Sequence, residues 1–340
     1  MSLKKQDVIA AIERLNPSRI PMVNAKWWGE GLEEQYGERL RAFDRALEDV
    51  VWLFMENPVN PDVMNLSWRW KSDGAQDNII VLDDWGKLDE FIEKLPAPEH
   101  DSQFEQLQTI AEQGRAEDRY LLFGWWRLFF EKPWGLRGMQ NLMVDYYAEP
   151  ERIHRLHSAM CDVYCRYIRH ACNLLQPDGF WTSDDLGHQT GPMMSPKTFH
   201  QFLFPYYVRV GEALKACQIH FWLHSCGDNT KLLPDLIAAG VTVFHPVQKH
   251  TMNERAIAAE FGDRLTFLAG LDVQHVLQEA TPEGVRAEVR QLIDTFDRPD
   301  GGMCIAAGNG IVAGTPFENI AAFLDEAERY GAEHRKQFMG

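Results

Sequence analysis

The sequence predicts an α/β fold of the (β/α)8 TIM-barrel class. Eight short apolar runs are typical of buried strands, and each is followed by a segment with helical periodicity. This alternation favours a parallel sheet with helical crossovers. Eight such units in 340 residues favour a closed barrel, and no GxGxxG motif follows the first run to indicate a dinucleotide-binding sheet. We therefore expect a single domain over residues 1–340.

The elements follow in a regular order. The predicted strands are 20–26, 49–56, 120–126, 179–185, 219–227, 241–247, 265–272 and 303–309. The predicted helices are 7–15, 32–47, 102–112, 131–147, 149–175, 195–217, 231–239, 253–261, 282–296 and 316–330. Residues 57–98 lie between strands two and three without a clear pattern, and connections of that length are usually functional or partly ordered. We predict an insertion or lid there, with a small hairpin near 79–82.

Composition limits the partners. The net charge of −16 argues against nucleic acid and anionic membranes as partners. No apolar run approaches the roughly 20 residues of a membrane span, and the charged N-terminus does not resemble a signal peptide. The six cysteines show no paired framework, which indicates reduced thiols. We expect a cytoplasmic protein.

Candidate site residues follow the predicted strands. In a (β/α)8 barrel the carboxyl ends of the strands meet at one mouth, where active sites lie. The candidates are Trp27, Trp28, Trp126, Arg127, Asp185, His188, Gln189, His224, Cys226, His245, Gln248 and Asn309. Indoles, carboxylates and imidazoles together indicate a pocket for a flat or aromatic ligand beside acid/base or metal chemistry.

His224 and Cys226 are the candidate metal ligands. One intervening residue directs both side chains to the same face of an extended chain, and both are zinc ligands. Two ligands alone do not make a zinc site. Asp184 and Asp185 cannot share a face, so at most one enters the pocket, and the alternative role for either is to cap the turn. We favour Asp185 for the pocket, and the alternative for His245 is a hydrogen-bonded core histidine.

A second group of ligand-type side chains has a structural explanation. His157, Cys161 and Cys165 recur every four residues within an otherwise apolar stripe of a predicted helix. Such a stripe is the buried side of an outer helix, where free cysteine acts as a small apolar residue. We predict packing and not metal binding.

Several short motifs occur in a fixed order along nearly the whole chain. They are Arg19-Ile20-Pro21, Leu136-Arg137-Gly138, His224-Ser225-Cys226-Gly227, Gly240-Val241, Gly270-Leu271-Asp272, Gly308-Asn309-Gly310 and Thr315-Pro316-Phe317-Glu318-Asn319-Ile320. In this set the chain resembles the superfamily of uroporphyrinogen decarboxylases and cobalamin-dependent methyltransferases. The resemblance implies the (β/α)8 fold.

The two branches of that superfamily differ at the mouth. The decarboxylase branch has an arginine-rich segment after strand one that grips carboxylates, but residues 26–31 contain Trp27 and Trp28 and no arginine. The methyltransferase branch implies zinc held by His224, Cys226 and a cysteine after strand eight, where this chain has Asn309. Cys304, five residues earlier, is expected to lie too deep.

The third ligand is therefore open among four other residues: Asp185, His188, His245 and Gln248. Each follows a predicted strand and offers a nitrogen or oxygen to the mouth. The resemblance alone does not choose among them, and a centre without metal is the remaining possibility.

The resemblance leads to three functional hypotheses. The first is zinc-assisted methyl transfer from a small methoxylated or aromatic donor to a corrinoid on a partner protein. Asp185 and His245 would be catalytic, and the tryptophans, Arg127, His188, Gln189, Gln248 and Asn309 would bind substrate. The second is decarboxylation of uroporphyrinogen or another carboxylated ring, with Arg127 or Lys26 as the cation. The third is a non-catalytic corrinoid- or tetrapyrrole-binding protein. A homodimer is compatible with each.

Overall fold

A computed structural model describes residues 2–72 and 79–338 of the chain. The chain forms two compact units. The first comprises Met1–Val51, Gly114–Leu121 and Thr242–Gly340, and the second comprises Trp52–Gln113 and Leu122–Val241. Each unit combines parallel strands with covering helices, which confirms the predicted α/β class.

The strands and helices are numbered in chain order. The strands are β1 Val50–Phe54, β2 Lys71–Ser72, β3 Ile79–Ile80, β4 Tyr120–Trp125, β5 Gly179–Ser183, β6 Gly187–His188, β7 Gly191–Pro192, β8 His220–His224, β9 Val243–His245, β10 Thr266–Leu271 and β11 Met303–Ala307. The helices are α1 Lys5–Glu13, α2 Leu32–Tyr36, α3 Leu88–Glu93, α4 Gln103–Ala116, α5 Glu131–Arg137, α6 Met139–Ala148, α7 Pro150–Leu174, α8 Pro196–Phe202, α9 Phe204–Ala216, α10 Leu233–Ala238, α11 Glu254–Phe261, α12 Val276–Glu279, α13 Pro282–Phe296 and α14 Phe317–Lys336.

The second unit places three strand ends at one edge. Its strands are ordered β1-β4-β5-β8. β5 is parallel to both neighbours, with Trp125 opposite Thr182 and Ser183 opposite His224. Because parallel strands in this register end together, the residues that follow β4, β5 and β8 emerge side by side. The candidate site of this unit is built from those residues.

The first unit contains β9, β10 and β11, again parallel, with Leu271 opposite Ala307 at the carboxyl end. The predicted strand at 20–26 occurs as an isolated parallel bridge between Met22 and Ile305, where the Val23 N–H donates to the Ile305 carbonyl at 3.0 Å. The segment thus lies beside β11, as a first barrel strand would. Closure into eight strands stays a prediction.

Two predicted helices are shorter than the sequence indicated. The helix expected over 32–47 ends at Tyr36 and continues as a 3₁₀ helix, Gly37–Phe43, because Gly37 has a φ of +49°. The helix expected over 131–147 is divided into α5 and α6 at Gly138, whose φ is +78°. A positive φ cannot continue a right-handed helix, and glycine adopts it without steric cost. The helix expected over 195–217 is likewise divided into α8 and α9, and Pro205 lies in the first turn of α9.

The segment 57–98 contains short helical turns, helix α3 and a two-residue antiparallel ladder. In that ladder Lys71 faces Ile80 and Ser72 faces Ile79. The predicted hairpin at 79–82 therefore has its partner strand at 71–72, and residues 73–78 between them lie outside the described residues. The role of the segment as a lid stays a prediction. Within the described ranges, no helix combines the length and apolarity that crossing a bilayer requires.

Substitution of Gly124 tests how closely β4 packs against β5. A Cβ atom there would lie 2.0 Å from the carbonyl oxygen of Trp181 on the neighbouring strand. We expect Gly124→Ala to lower the free energy of unfolding by about 3 kcal/mol or more, because backbone on a central strand cannot move aside. Urea denaturation measures the change. The control is Gly191→Ala, whose Cβ would have no neighbour nearer than 4.0 Å; equal stability of the two variants would contradict this packing.

Candidate metal centre

Asp184, the first residue after β5, has a structural role. Its buried carboxylate accepts the N–H groups of Phe129, Phe130 and Glu131, each at 2.8–2.9 Å, and the hydroxyl of Tyr207 at 2.7 Å. These bonds satisfy backbone donors at the start of α5, which has no other side-chain cap. Burial raises the pKa of Asp184 to about 6, against the opposing effect of these donors. Asp184 therefore fastens β5 to α5.

Asp185 points the other way and meets the residues that follow β8. Its Oδ1 accepts the Cys226 N–H at 2.8 Å and lies 3.8 Å from Nε2 of His224. The Cys226 Sγ lies 3.4 Å from the same Nε2. The three potential ligand atoms all lie within 4.8 Å of one another, and this is the only such group of three or more among the residues that the structure describes.

This geometry fits a zinc ion. With bonds of about 2.0–2.3 Å, tetrahedral coordination separates neighbouring ligand atoms by roughly 3.3–3.7 Å. The separations of His224 Nε2 from Cys226 Sγ and Asp185 Oδ1, 3.4 and 3.8 Å, are close to that range. One imidazole, one thiol and one carboxylate leave a fourth position for a water molecule or substrate, as in catalytic zinc centres.

Burial tunes two of these ligands in opposite directions. The side chain of His224 is 5% exposed, and desolvation lowers its pKa to about 4, so the imidazole is neutral at pH 7 as a metal ligand must be. Desolvation raises the pKa of Asp185, partly opposed by the hydrogen bond from Cys226 N–H. A cation at this position would favour the ionised carboxylate.

The turn after β8 is held by one close backbone approach and by three hydrogen bonds. Gly227 has a φ of +82°, and a Cβ there would lie 2.2 Å from the carbonyl carbon of Gly187. The Asn229 amide donates to the carbonyls of Ser225, Cys226 and Gly227 at 3.0–3.2 Å. These contacts fix the backbone of Cys226 relative to β8, so the residue is positioned beside His224 before any metal binds.

Trp126 and Arg127 form a strained turn at the end of β4. Arg127 has a φ of +70°, which is uncommon for a residue other than glycine. The Asn57 side chain donates to the carbonyls of Trp126 and Arg127 at 2.9 and 2.7 Å, and its own Oδ1 accepts the Tyr164 hydroxyl at 3.2 Å. The centroid of the Trp126 ring thereby lies 5.8 Å from that of the His224 ring, and the angle between the two ring planes is 87°.

Glu131 is a functional candidate that sequence reasoning missed. Its Oε2 accepts the Ser183 hydroxyl at 2.7 Å, and the Ser183 Oγ in turn accepts the Arg127 N–H at 2.9 Å. Desolvation first, then the charges of Asp185 and Asp184, raise the pKa of Glu131 to about 8. Its position at the first residue of α5, after the strand-three candidates, was the available signal.

The other predicted residues divide between the two units. In the second unit, His188 and Gln189 are exposed at the small hairpin of β6 and β7. The first unit contains Trp27, Trp28, His245, Gln248 and Asn309. Their roles in catalysis or binding stay predictions.

His245 and Asn309 have defined local bonds within the first unit. His245 is buried beside Trp27, with ring centroids 6.3 Å apart, and its Nε2 donates to the Ala307 carbonyl at 3.0 Å. Asn309 is exposed, and its Oδ1 accepts the Gly310 N–H at 2.7 Å. Cys304 is fully buried on β11, as expected.

The cysteine stripe of α7 is buried, as predicted. Cys161 donates to the Tyr206 carbonyl at 3.7 Å, Cys165 donates to that of Arg209 at 3.7 Å, and His157 Nδ1 donates to that of Phe202 at 2.9 Å. The stripe therefore packs α7 against α8 and α9.

Comparison with known proteins identifies the family. The sequence model of the uroporphyrinogen decarboxylase (URO-D) family matches residues 134–330, more than half of the chain. The chain belongs to this family, which confirms the resemblance seen in the motifs.

Relatives within the family include methyltransferases. The chain is 25% identical over 196 residues to a methylated-thiol–coenzyme M methyltransferase of Methanosarcina mazei. The aligned region covers 56% of this chain and 48% of that protein. It is 26% identical over 132 residues to a methylcobamide:CoM methyltransferase of the same organism, covering 39% and 37%. A uroporphyrinogen decarboxylase of Methylibium petroleiphilum is 32% identical over 87 residues, covering 25% and 23%. The chain thus spans about half or less of these relatives.

A solved structure supports the fold. A methyltransferase from Methanosarcina mazei superimposes with a TM-score of 0.69 at 14% identity, over 97% of this chain and 99% of that chain. At that identity the likeness shows a shared fold and not a shared substrate.

The raised pKa of Glu131 makes the free energy of unfolding depend on pH. Its pKa is about 8 in the folded chain against an ordinary 4.5, so the folded state keeps a proton between those values that the unfolded state has lost. The free energy of unfolding contributed by Glu131 therefore falls as pH rises from 4.5 to 8. We expect the free energy of unfolding of Glu131→Gln to lack this fall, as measured by denaturant titrations between pH 4.5 and 8.

The control for that comparison is Glu105→Gln, which changes an exposed carboxyl of α4. It should retain the pH profile of the wild type. A Glu131→Gln profile parallel to that of the wild type would contradict the raised pKa.

Proposed function

We propose that this chain is a methyltransferase that uses a metal ion held by Asp185, His224 and Cys226. The observation that carries the proposal is the convergence of three ligand atoms within 4.8 Å at the ends of β5 and β8. The family relatives named as methyltransferases support the reaction type. The methyltransferase branch has a cysteine as third zinc ligand at the position of Asn309. Asp185 would replace that cysteine as the third ligand in this chain.

The residues of the centre have complementary tasks in this proposal. Zinc bound there would lower the pKa of a thiol or polarise a substrate oxygen. His224 would hold the metal as a neutral imidazole, and Cys226 would hold it as a thiolate after losing its proton. The Cys226 N–H holds Asp185 in place through Oδ1 and leaves further lone pairs of the carboxylate for the metal.

Methyl transfer needs a nucleophilic acceptor as well as a donor. The bond between the methyl carbon and a substrate oxygen or sulfur breaks, and the heteroatom keeps the electron pair. The methyl group forms its new bond with the acceptor, for which we propose a corrinoid on a partner protein. The half-buried Trp126 shields the reacting atoms from water on one side of His224. A cytoplasmic location, an eight-stranded closed barrel and a lid formed by 57–98 belong to the same proposal.

Metal analysis tests the centre directly. We expect one zinc ion per chain in protein purified without added metal. Asp185→Asn should weaken zinc binding at least about tenfold, because an amide oxygen carries no charge, and Cys226→Ala should abolish it. Competition with a chromogenic chelator measures both affinities. The matched control is His200→Ala, which removes an exposed imidazole of α8 in the same unit and should bind zinc like the wild type.

Activity assays separate this function from the two alternatives. With an O- or S-methylated compound as the donor, conversion of cob(I)alamin to methylcobalamin, followed by absorbance, should require the metal and be lost in Cys226→Ala. Metal-free protein with undiminished transfer would refute the role of the metal. Carbon dioxide release from uroporphyrinogen would instead establish the decarboxylase. Corrinoid binding without turnover of any donor would establish a binding protein.

A further inference from the structure

Four aromatic side chains of the second unit form a closed cycle of ring contacts. They are Trp52 and Phe54 from β1, Trp126 after β4 and Trp181 from β5. The centroid distances around the cycle are 6.4, 5.5, 6.1 and 5.4 Å, and the corresponding interplanar angles are 70°, 60°, 90° and 84°. We call this group the aromatic box.

The dimensions of the aromatic box suit a compact cation. If the four ring centroids form a nearly square quadrilateral, its midpoint lies roughly 4 Å from each centroid. That distance is within the roughly 6 Å range of cation–π attraction. Trp181 is buried, whereas Trp52, Phe54 and Trp126 are only half-buried. Solvent therefore reaches three of the four rings.

The orientation of the walls discriminates between ligand shapes. A flat aromatic ring binds best between parallel faces, where it can stack. Neighbouring walls of the aromatic box are 60–90° apart instead. A round head bearing several methyl groups presents diffuse positive charge in every direction and can contact all four walls at once.

The aromatic box shares two walls with the metal centre. Trp126 and Trp181 lie 5.8 and 6.1 Å from the ring of His224. The Asp185 carboxylate, 3.8 Å from His224 Nε2, adds negative charge on that side. A ligand held in the aromatic box could therefore extend an oxygen or sulfur atom toward the metal ligands without leaving the four rings.

We propose that the aromatic box binds a methylated ammonium head group of the substrate, while another part of the same molecule reaches the metal centre. The assignment deepens the function proposed above and rests on it for the chemistry at the metal, but the binding itself does not require the metal. Under this assignment the expected methyl donor is a small quaternary ammonium compound that carries an oxygen or sulfur atom, and not a flat aromatic compound.

Calorimetric titration with two probes of equal shape tests the proposal. Choline carries a trimethylammonium head, and 3,3-dimethylbutan-1-ol has the same shape without the charge. We expect choline to bind at least tenfold more tightly. Trp126→Leu should weaken choline binding at least tenfold, because one wall is lost. The matched control is Trp134→Leu, whose half-buried ring packs against Phe130 outside the aromatic box and which should bind choline like the wild type.

The outcomes separate this assignment from the proposed function. Equal affinity for the two probes, or unchanged choline binding by a folded Trp126→Leu variant, would overturn the assignment. Circular dichroism verifies that the variant is folded, and Trp126→Phe, which keeps an aromatic face, should retain most of the affinity. Protein stripped of metal by a chelator should still bind choline. Choline binding combined with failure of methyl transfer by the metal-loaded protein would refute the proposed function and leave the assignment standing.

Discussion

The candidate site depends on the buried carboxylate of Asp184. Three main-chain N–H groups at the start of α5 and the hydroxyl of Tyr207 on α9 all donate to it. Burial of a carboxylate without such donors would cost several kcal/mol, so the four bonds and the packing around them form together. They fix the end of β5 relative to α5 and α9, and the rest of the site is arranged around that junction.

The neighbouring residue uses the alternation of the extended chain. Because consecutive side chains point to opposite sides, Asp184 enters the packed layer and Asp185 faces the turn after β8. The Cys226 N–H then orients Asp185 toward His224. One carboxylate is therefore structural and the next is available as a ligand. In the proposed centre this oxygen ligand makes a cysteine at the position of Asn309 unnecessary.

The aromatic residues around His224 give the centre its surroundings. Trp126 and Trp181 reduce the access of water to the imidazole, and the same desolvation keeps it neutral. Glu131 experiences the combined effect of burial and two nearby carboxylates, which favours its protonated form. A protonated carboxyl group, a neutral imidazole and a thiol thus lie near one another, and groups of titratable side chains with shifted pKa values are typical of functional sites.

The sequence by itself determined the α/β class and the positions of most strands, because apolar runs and alternation are local signals. Strand-end chemistry also made His224 and Cys226 candidate ligands and left Asp185 as one of four candidates for the third. The sequence also indicated the buried role of the His157–Cys165 stripe through helical periodicity. Helix ends at Gly37 and Gly138, the cap formed by Asp184, the burial of Glu131 and the aromatic box were decided only by the tertiary structure. Each depends on backbone angles or on contacts between residues far apart in the chain, which spacing along the sequence does not encode.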